Sequence, residues 1–236
     1  MEKKDFVIIF LFLAIVGLSI LAFQAYASST YDVTKGETKI LLLAVDPGEP
    51  RPGPGAVDMA FVLTLNEGDI TNVISVYPFQ MAHPTATPPP ELRSMGLDKH
   101  LLHDSLWDAD VEKGAKLAQE IVEANTGEKT DIVVMMTPDA VDSFLNVAGP
   151  VIIPGYGEVS GDSLTFLRES QSAGASRGAV LESLMKAVAS TANDESKYLT
   201  LVHVGITQYA QGNIIVVPQG AFIQFLISTG LDPKNI

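Results

Sequence analysis

Between Phe6 and Phe23 the chain reads FVIIFLFLAIVGLSILAF, an unbroken apolar run without an ionisable residue. A segment of this kind has few places to go. Roughly 20 apolar residues in a helix match the ~30 Å hydrocarbon core of a bilayer, and inside lipid a single segment satisfies its backbone only as a helix. The run has no polar stripe, so it does not read as a helix laid on a soluble core. Lys3 and Lys4 lie on its short N-terminal side, and basic residues favour the cytoplasmic face. The expected organisation is residues 1–27 as cytoplasmic tip and transmembrane anchor, 28–37 as a polar linker, and 38–236 as a domain outside the cell membrane. Ala25-Tyr26-Ala27 fits a small-x-small cleavage pattern. The length of the apolar run favours retention of the anchor, and either outcome leaves the domain outside. A second run of this length is absent from the sequence, so a single span is expected.

The roughly 200 residues beyond the linker suit one α/β domain with a sizeable core. The chain has 0 cysteines, so thiolate metal sites and cysteine nucleophiles are excluded. Fifteen basic against 28 acidic residues give a net charge of −13. Such a surface repels nucleic acid and anionic lipid headgroups, so no nucleic-acid partner is expected. An anionic ligand would have to be met by the few arginines, Arg51, Arg93, Arg168 and Arg177.

Ile40 to Val45 is wholly apolar and ends in Asp46-Pro47-Gly48, which reads as a buried strand running into a loop. The loop PGEPRPGPGA is too rich in Pro and Gly for helix or ladder. Met59–Leu65 and Ile70–Val76 read as a hairpin about Asn66-Glu67-Gly68-Asp69. Residues 78–98 are proline-rich, either a mobile loop or the wall of a cleft. A helix follows, capped by Asp108 or Asp110 and closed by Gly127. Asp131–Met136 reads as a buried strand, Thr137-Pro138 as the start of a helix with Thr as its cap, and Val151–Ile153 as a short strand. Ser176 can cap a helix carrying Val180, Leu181 and Leu184, while Asn213–Val217 and Gln219–Ser228 close the chain as strand and helix. Apolar strands alternating with amphipathic helices define a layered α/β domain.

The sequence carries no phosphate loop, no His-Glu-x-x-His and no Gly-x-Ser-x-Gly elbow. His100 and His103 lie in an irregular stretch and read as solvent-exposed loop residues rather than metal ligands. Two constellations remain. Asp46 stands at the end of a buried strand, where ligands gather in open α/β sheets, and Asp58 precedes the next strand. If the loop folds back, the two carboxylates converge on Mg²⁺ and Arg51 adds a bidentate phosphate contact. Otherwise Asp46 makes an Asp-Pro turn and Asp58 marks a strand end. Arg177 opens a helix, where a cation opposes the dipole. It is either an exposed arginine at small cost or one side of an anion site shared with free amides.

The order of these features, with Arg51-Pro52-Gly53-Pro54-Gly55, the segment LHDSLWDADVEKGAKLAQEI from Leu102 and TGEKTDIVVMMTPDAVDSFLNVAGPVIIPGYG from Thr126, resembles the LytR–CpsA–Psr envelope proteins. It is more similar still to their LytR-like relatives known as a domain of unknown function. The resemblance covers roughly residues 37 to 190. It implies a three-layer α/β/α domain with a central mixed sheet, preceded by one transmembrane helix. In the better-known branch such proteins move glycopolymers from a polyprenyl-pyrophosphate carrier onto the cell wall, in a Mg-dependent phosphotransfer. By that resemblance Asp46 and Asp58 are the metal aspartates, and Arg51 and Arg177 the catalytic, pyrophosphate-binding arginines. The expected partner is a polyprenyl-linked glycopolymer; the alternative is a non-catalytic domain binding a lipid-linked intermediate, an envelope polymer or a partner protein. Two departures favour that alternative: Tyr77-Pro78-Phe79-Gln80 lacks the arginine and acid of the branch's Ser-x-Pro-Arg-Asp, and its Arg-Gln pair is Arg177-Gly178 here.

Overall fold

The apolar run Ile40–Val45 becomes the centre of a sheet because both of its faces are covered. The computed structural model describes residues 35–49, 51–153, 157–166, 176–191 and 194–228. The expected anchor, residues 1–27, and linker residues 28–34 lie outside the described residues. Among those described, no helix is long and apolar enough to cross a membrane.

Strands β1 (Glu37–Asp46), β2 (Ala56–Asn66), β3 (Asp69–Val76), β4 (Ile132–Met136) and β7 (Ile214–Val217) form one sheet in the order β3-β2-β1-β4-β7. Only β1 and β4 run parallel, and the other neighbours are antiparallel. The sheet is therefore mixed. Two short strands, β5 (Val151–Ile153) and β6 (Gly157–Val159), pair with each other as a separate ribbon. The β2–β3 hairpin turns through Glu67 and Gly68, both at positive φ (52° and 90°), as its Asn-Glu-Gly-Asp sequence predicts.

The helices are α1 (Pro90–Ser94), α2 (Val111–Thr126), α3 (Pro138–Ala148), α4 (Arg177–Thr191), α5 (Glu195–Ala210) and α6 (Gln219–Ser228). Helix α2 covers one face of the sheet: its Ala115, Ala118, Ile121 and Val122 pack on Leu41, Leu43, Val45, Val57 and Val62. The other face carries α3 and α4 over Met59 and Phe61, and α3, α5 and α6 over Ile132, Ile214 and Val216. Asp110 caps α2 through the Glu112 and Lys113 amides, and Gly127 closes it in the left-handed region at φ 78°.

One expectation needs correction, one helix was not expected, and one open alternative is resolved. Thr137 occupies the N-cap position of α3, but its hydroxyl makes no capping bond and is buried without a partner; Pro138 supplies the helix start instead. Helix α5 is not predicted by the sequence, because its YLTLVHVGI stretch mixes β-branched and apolar residues without a clear helical stripe. The segment from 78 to 98 holds a single 3-10 turn (Pro78–Gln80) and α1, and lines a cleft through Pro89 and Glu91, so it is a wall.

One irregularity sets up the site. Ala44 pairs with Met59, but Val45 pairs with Val57, so Asp58 is an extra residue in the β2 ladder. The bulge resets the alternation and puts Val57 and Ala60 on the same α2-facing side. Bulges of this kind also re-aim the extra side chain, here a carboxylate at the sheet's end.

Candidate functional site

The loop after β1 folds back onto a short helical turn, Leu102–Asp104. It starts with Asp46, whose Oδ1 accepts the Gly48 amide at 2.7 Å. Two glycines of Arg51-Pro52-Gly53-Pro54-Gly55 are there for close approach. A β-carbon at Gly53 would run into the carbonyl oxygens of Leu106 and Asp108, and one at Gly55 into that of Asp46. The loop is thus clamped against the 102–108 stretch, and this delivers Arg51 into the interior with its side chain 5% exposed.

Arg51 is enclosed by its own partners. Nη1 donates to Asp104 Oδ1, Nη2 donates to Glu49 Oε2 at 2.9 Å, and the guanidinium carbon lies 5.3 Å from the centre of the Trp107 ring. Its Nε is buried without a partner. The Asp104 side chain is 4% exposed. Burial alone would raise its pKa, but hydrogen bonds from His103 and Arg51 and the guanidinium charge outweigh this and hold the carboxyl below its usual value.

His100 and His103 are buried, contrary to the exposed-loop expectation. The reason is pairing: Leu102 N–H donates to Met81, His83 N–H donates to His100, and Ala82 bridges Leu101. This closes the strand-like 81–83 segment over the histidine turn. His100 Nε2 is 3.1 Å from the Asp104 carbonyl oxygen. His103 Nδ1 lies 3.2 Å from Asp104 Oδ1 and 3.3 Å from Arg51 Nη2, while its Nε2 has no hydrogen-bond partner. Phe79 lies against the His103 ring, tilted by 31° with centroids 4.2 Å apart. The position where the resemblance expects a phosphate-gripping arginine is thus an aromatic cover.

Glu49, Asp58 and His103 converge, each offering one ligand-type atom within 4.8 Å of the others. Asp46 is outside this group and engaged in its turn. Of the sequence candidates, Asp58 and Arg51 therefore share one polar cluster, linked through Glu49. Arg177 opens α4, and the conformation of its side chain lies outside what is described. Its helix start is placed by Gly178, where a β-carbon would meet the Tyr77 hydroxyl at 3.0 Å and both Ser75 Oγ and Met59 Cε at 3.2 Å. So α4 begins against Met59, next in sequence to Asp58. Gly178 and Tyr77 are complementary departures from the better-known branch. Glu49 and Asp104 escaped sequence reasoning, and His103 was read as exposed. The signal available for two of them was adjacency, a His-Asp pair three residues before the tryptophan that flanks Arg51.

A second feature lies on the opposite face. An apolar cavity of about 590 Å³ is lined by Ile40, Val134, Phe144, Leu201, Phe222 and Phe225, among others, and by Gly205 of α5. None of its lining residues belongs to the Arg51 cluster.

A mixed sheet covered by α2 on one face and several helices on the other, with a polar cluster where β1 ends, defines a three-layer α/β domain. The chain belongs to the family described as protein of unknown function (DUF4012), which matches residues 35–172. Among solved structures it is similar to Bacillus subtilis TagV, at 16% identity over 86% of this chain and 83% of that one, with a TM-score of 0.56. An Enterococcus faecalis protein described as a transcriptional regulator gives 14% identity, 85% and 73% coverage and a TM-score of 0.56. Bacillus subtilis yvhJ, described likewise, gives 16% identity, 85% and 80% coverage and a TM-score of 0.50. These likenesses establish a shared fold. No protein with a curated description matches the sequence.

Proposed function

We propose that this protein, held at the outer face of the cell membrane by residues 1–27, works in cell-envelope or surface-polymer assembly by binding a polyprenyl-linked glycopolymer intermediate. The apolar cavity carries this reading. Its volume of about 590 Å³ lies within the range of small-molecule sites, roughly 300–1,000 Å³, that are mostly apolar. It is walled by aliphatic and aromatic side chains along its length, which suits an isoprenoid chain and no charged metabolite. The family match and the shared fold support it through the resemblance to the LytR–CpsA–Psr proteins. The experiment is binding of polyprenyl pyrophosphate to the detergent-purified full-length chain. Gly205→Leu, which projects into the cavity, is expected to weaken binding at least about tenfold; undiminished binding by that variant contradicts the reading.

The convergence of Asp58 with Glu49 and His103, beside Arg51 and near the start of α4, favours a second reading. In it the domain also transfers the glycopolymer with its attached phosphate to an envelope hydroxyl: the hydroxyl oxygen bonds to the polymer-side phosphorus, its proton passes to a carboxylate of the cluster or to water, the bridging P–O bond of the pyrophosphate breaks, and polyprenyl phosphate leaves. Equal turnover by wild type, Asp58→Asn and Arg177→Ala would sink that version and leave binding as the function. The first reading is preferred because Arg51, the main cation on offer, is already neutralised by Asp104 and Glu49.

A further inference from the structure

We infer that Glu49, Asp58 and His103 form a site for a divalent transition metal, selective for Zn²⁺ over Mg²⁺. The first observation is convergence: the three ligand-type atoms lie within 4.8 Å of one another, and His103 Nε2 is 3.8 Å from Glu49 Oε1. Ligands about 2.0 Å from a tetrahedral ion sit about 3.3 Å apart, so binding closes the His103–Glu49 gap of 3.8 Å by about half an ångström and any pair near 4.8 Å by about 1.5 Å.

The second observation is independent. His103 is 9% exposed, and its Nε2 is buried with no hydrogen-bond partner. A protonated His103 paired with Glu49 would bring these atoms to hydrogen-bond distance, yet the gap is 3.8 Å. A metal explains both the orphaned nitrogen and the gap. The other ring nitrogen supports the assignment: Nδ1 is 3.2 Å from Asp104 Oδ1. With the proton on Nδ1 donated to Asp104, the Nε2 lone pair is free toward Glu49 Oε1, with Asp58 in the same cluster. Metal-ligating histidines are held in this way by a carboxylate. Arg51 fixes the arrangement by binding both Asp104 and Glu49, and Phe79 covers the imidazole.

The donor set decides the metal. Mg²⁺ demands oxygen ligands in near-ideal octahedral geometry, whereas imidazole suits Zn²⁺ and its neighbours. Three protein ligands leave a position for water or a phosphate oxygen. The resemblance implies Asp46 and Asp58 with Mg²⁺; the proposed site keeps Asp58 and takes Glu49 and His103, which converge with it, in place of Asp46. This deepens the reading of the polar cluster proposed above but stands whether or not the cavity takes a lipid.

The test uses the full-length chain stripped with EDTA and titrated with ZnCl₂, MnCl₂ and MgCl₂. Binding is followed by calorimetry and by the fluorescence of Trp107, the single tryptophan, which lies against Arg51. One equivalent of Zn²⁺ is expected, at least about tenfold tighter than Mg²⁺. Glu49→Gln and Asp58→Asn should each weaken Zn²⁺ at least about tenfold, and Asp104→Asn by about 10–100-fold through loss of orientation. His103→Phe keeps the ring contact with Phe79 and should abolish the Zn²⁺ preference. Asp46→Asn should leave it unchanged. Equal Zn²⁺ affinity in wild type and His103→Phe, or loss of binding in Asp46→Asn with Glu49→Gln unaffected, overturns the assignment. Glu49 is half-exposed, so Glu49→Gln decides the matter if a core variant fails to fold. Lipid binding, measured separately on the same preparations, can fail without altering this result.

Discussion

A buried arginine with two carboxylate partners is the most consequential residue in the polar cluster. Arg51 and Asp104 are both nearly sealed from solvent, whereas Glu49 is 48% exposed. Removing one partner of a buried pair leaves a bare charge inside, at a cost of about 3–5 kcal/mol. Asp104→Ala is therefore expected to destabilise the domain by about that amount in urea unfolding. Glu49→Gln, which removes a solvent-screened partner, should cost less than about 1 kcal/mol. Equal effects would mean that Arg51 is not buried as described. The sequence showed Arg51 and Asp58 as candidates because arginine is scarce, Arg51 lies in the loop after a buried strand and Asp58 lies beyond that loop. It did not show that Arg51 would be neutralised, since Asp104 reaches it only after the chain has passed through β2, β3 and the proline-rich wall. The misreading of His100 and His103 has the same origin: a histidine in an irregular stretch looks exposed until another irregular stretch pairs with it.

Elements announced by local chemistry were legible, and those decided by distant packing were not. β1 and β4 were readable because parallel strands buried on both faces are continuously apolar. Helix α2 declared both ends through Asp110 and Gly127. The bulge at Asp58 left no local trace, because it exists only in the pairing of β2 with β1. The loop between those strands is governed by Gly53, whose missing side chain lets it lie on the Leu106 and Asp108 carbonyls. Gly53→Ala forces backbone apart and is expected to cost at least about 1–3 kcal/mol, with loss of the Trp107–Arg51 contact read as a change in fluorescence. The opposite result is expected in α5. A β-carbon at Gly205 meets only Phe144, at an ordinary 3.7 Å, and the position faces the apolar cavity. Gly205→Leu gains about 0.5–1 kcal/mol of helix propensity and fills empty space. The lipid-free chain should therefore melt higher as Gly205→Leu than as wild type; a lower melting temperature would show that the cavity is not open there.

At the scale of the whole molecule, the net charge of −13 works against an anionic ligand. A pyrophosphate headgroup approaching this surface needs a local cation, and the arginine nearest the strand ends is already paired. A metal at the polar cluster would supply that charge, while the proposed lipid binding assigns the apolar chain to the cavity on the other face. Tethering completes the arrangement: an anchor at residues 1–27 would confine the domain to the layer that holds a lipid-linked intermediate and raise its effective concentration there. Native mass spectrometry of the full-length protein, released gently from membranes, tests the proposed lipid binding most directly. A copurifying polyprenyl-phosphate species is expected on the wild type, and its loss from Gly205→Leu. A wild-type protein that carries no such lipid, or equal occupancy in both, would contradict the proposal.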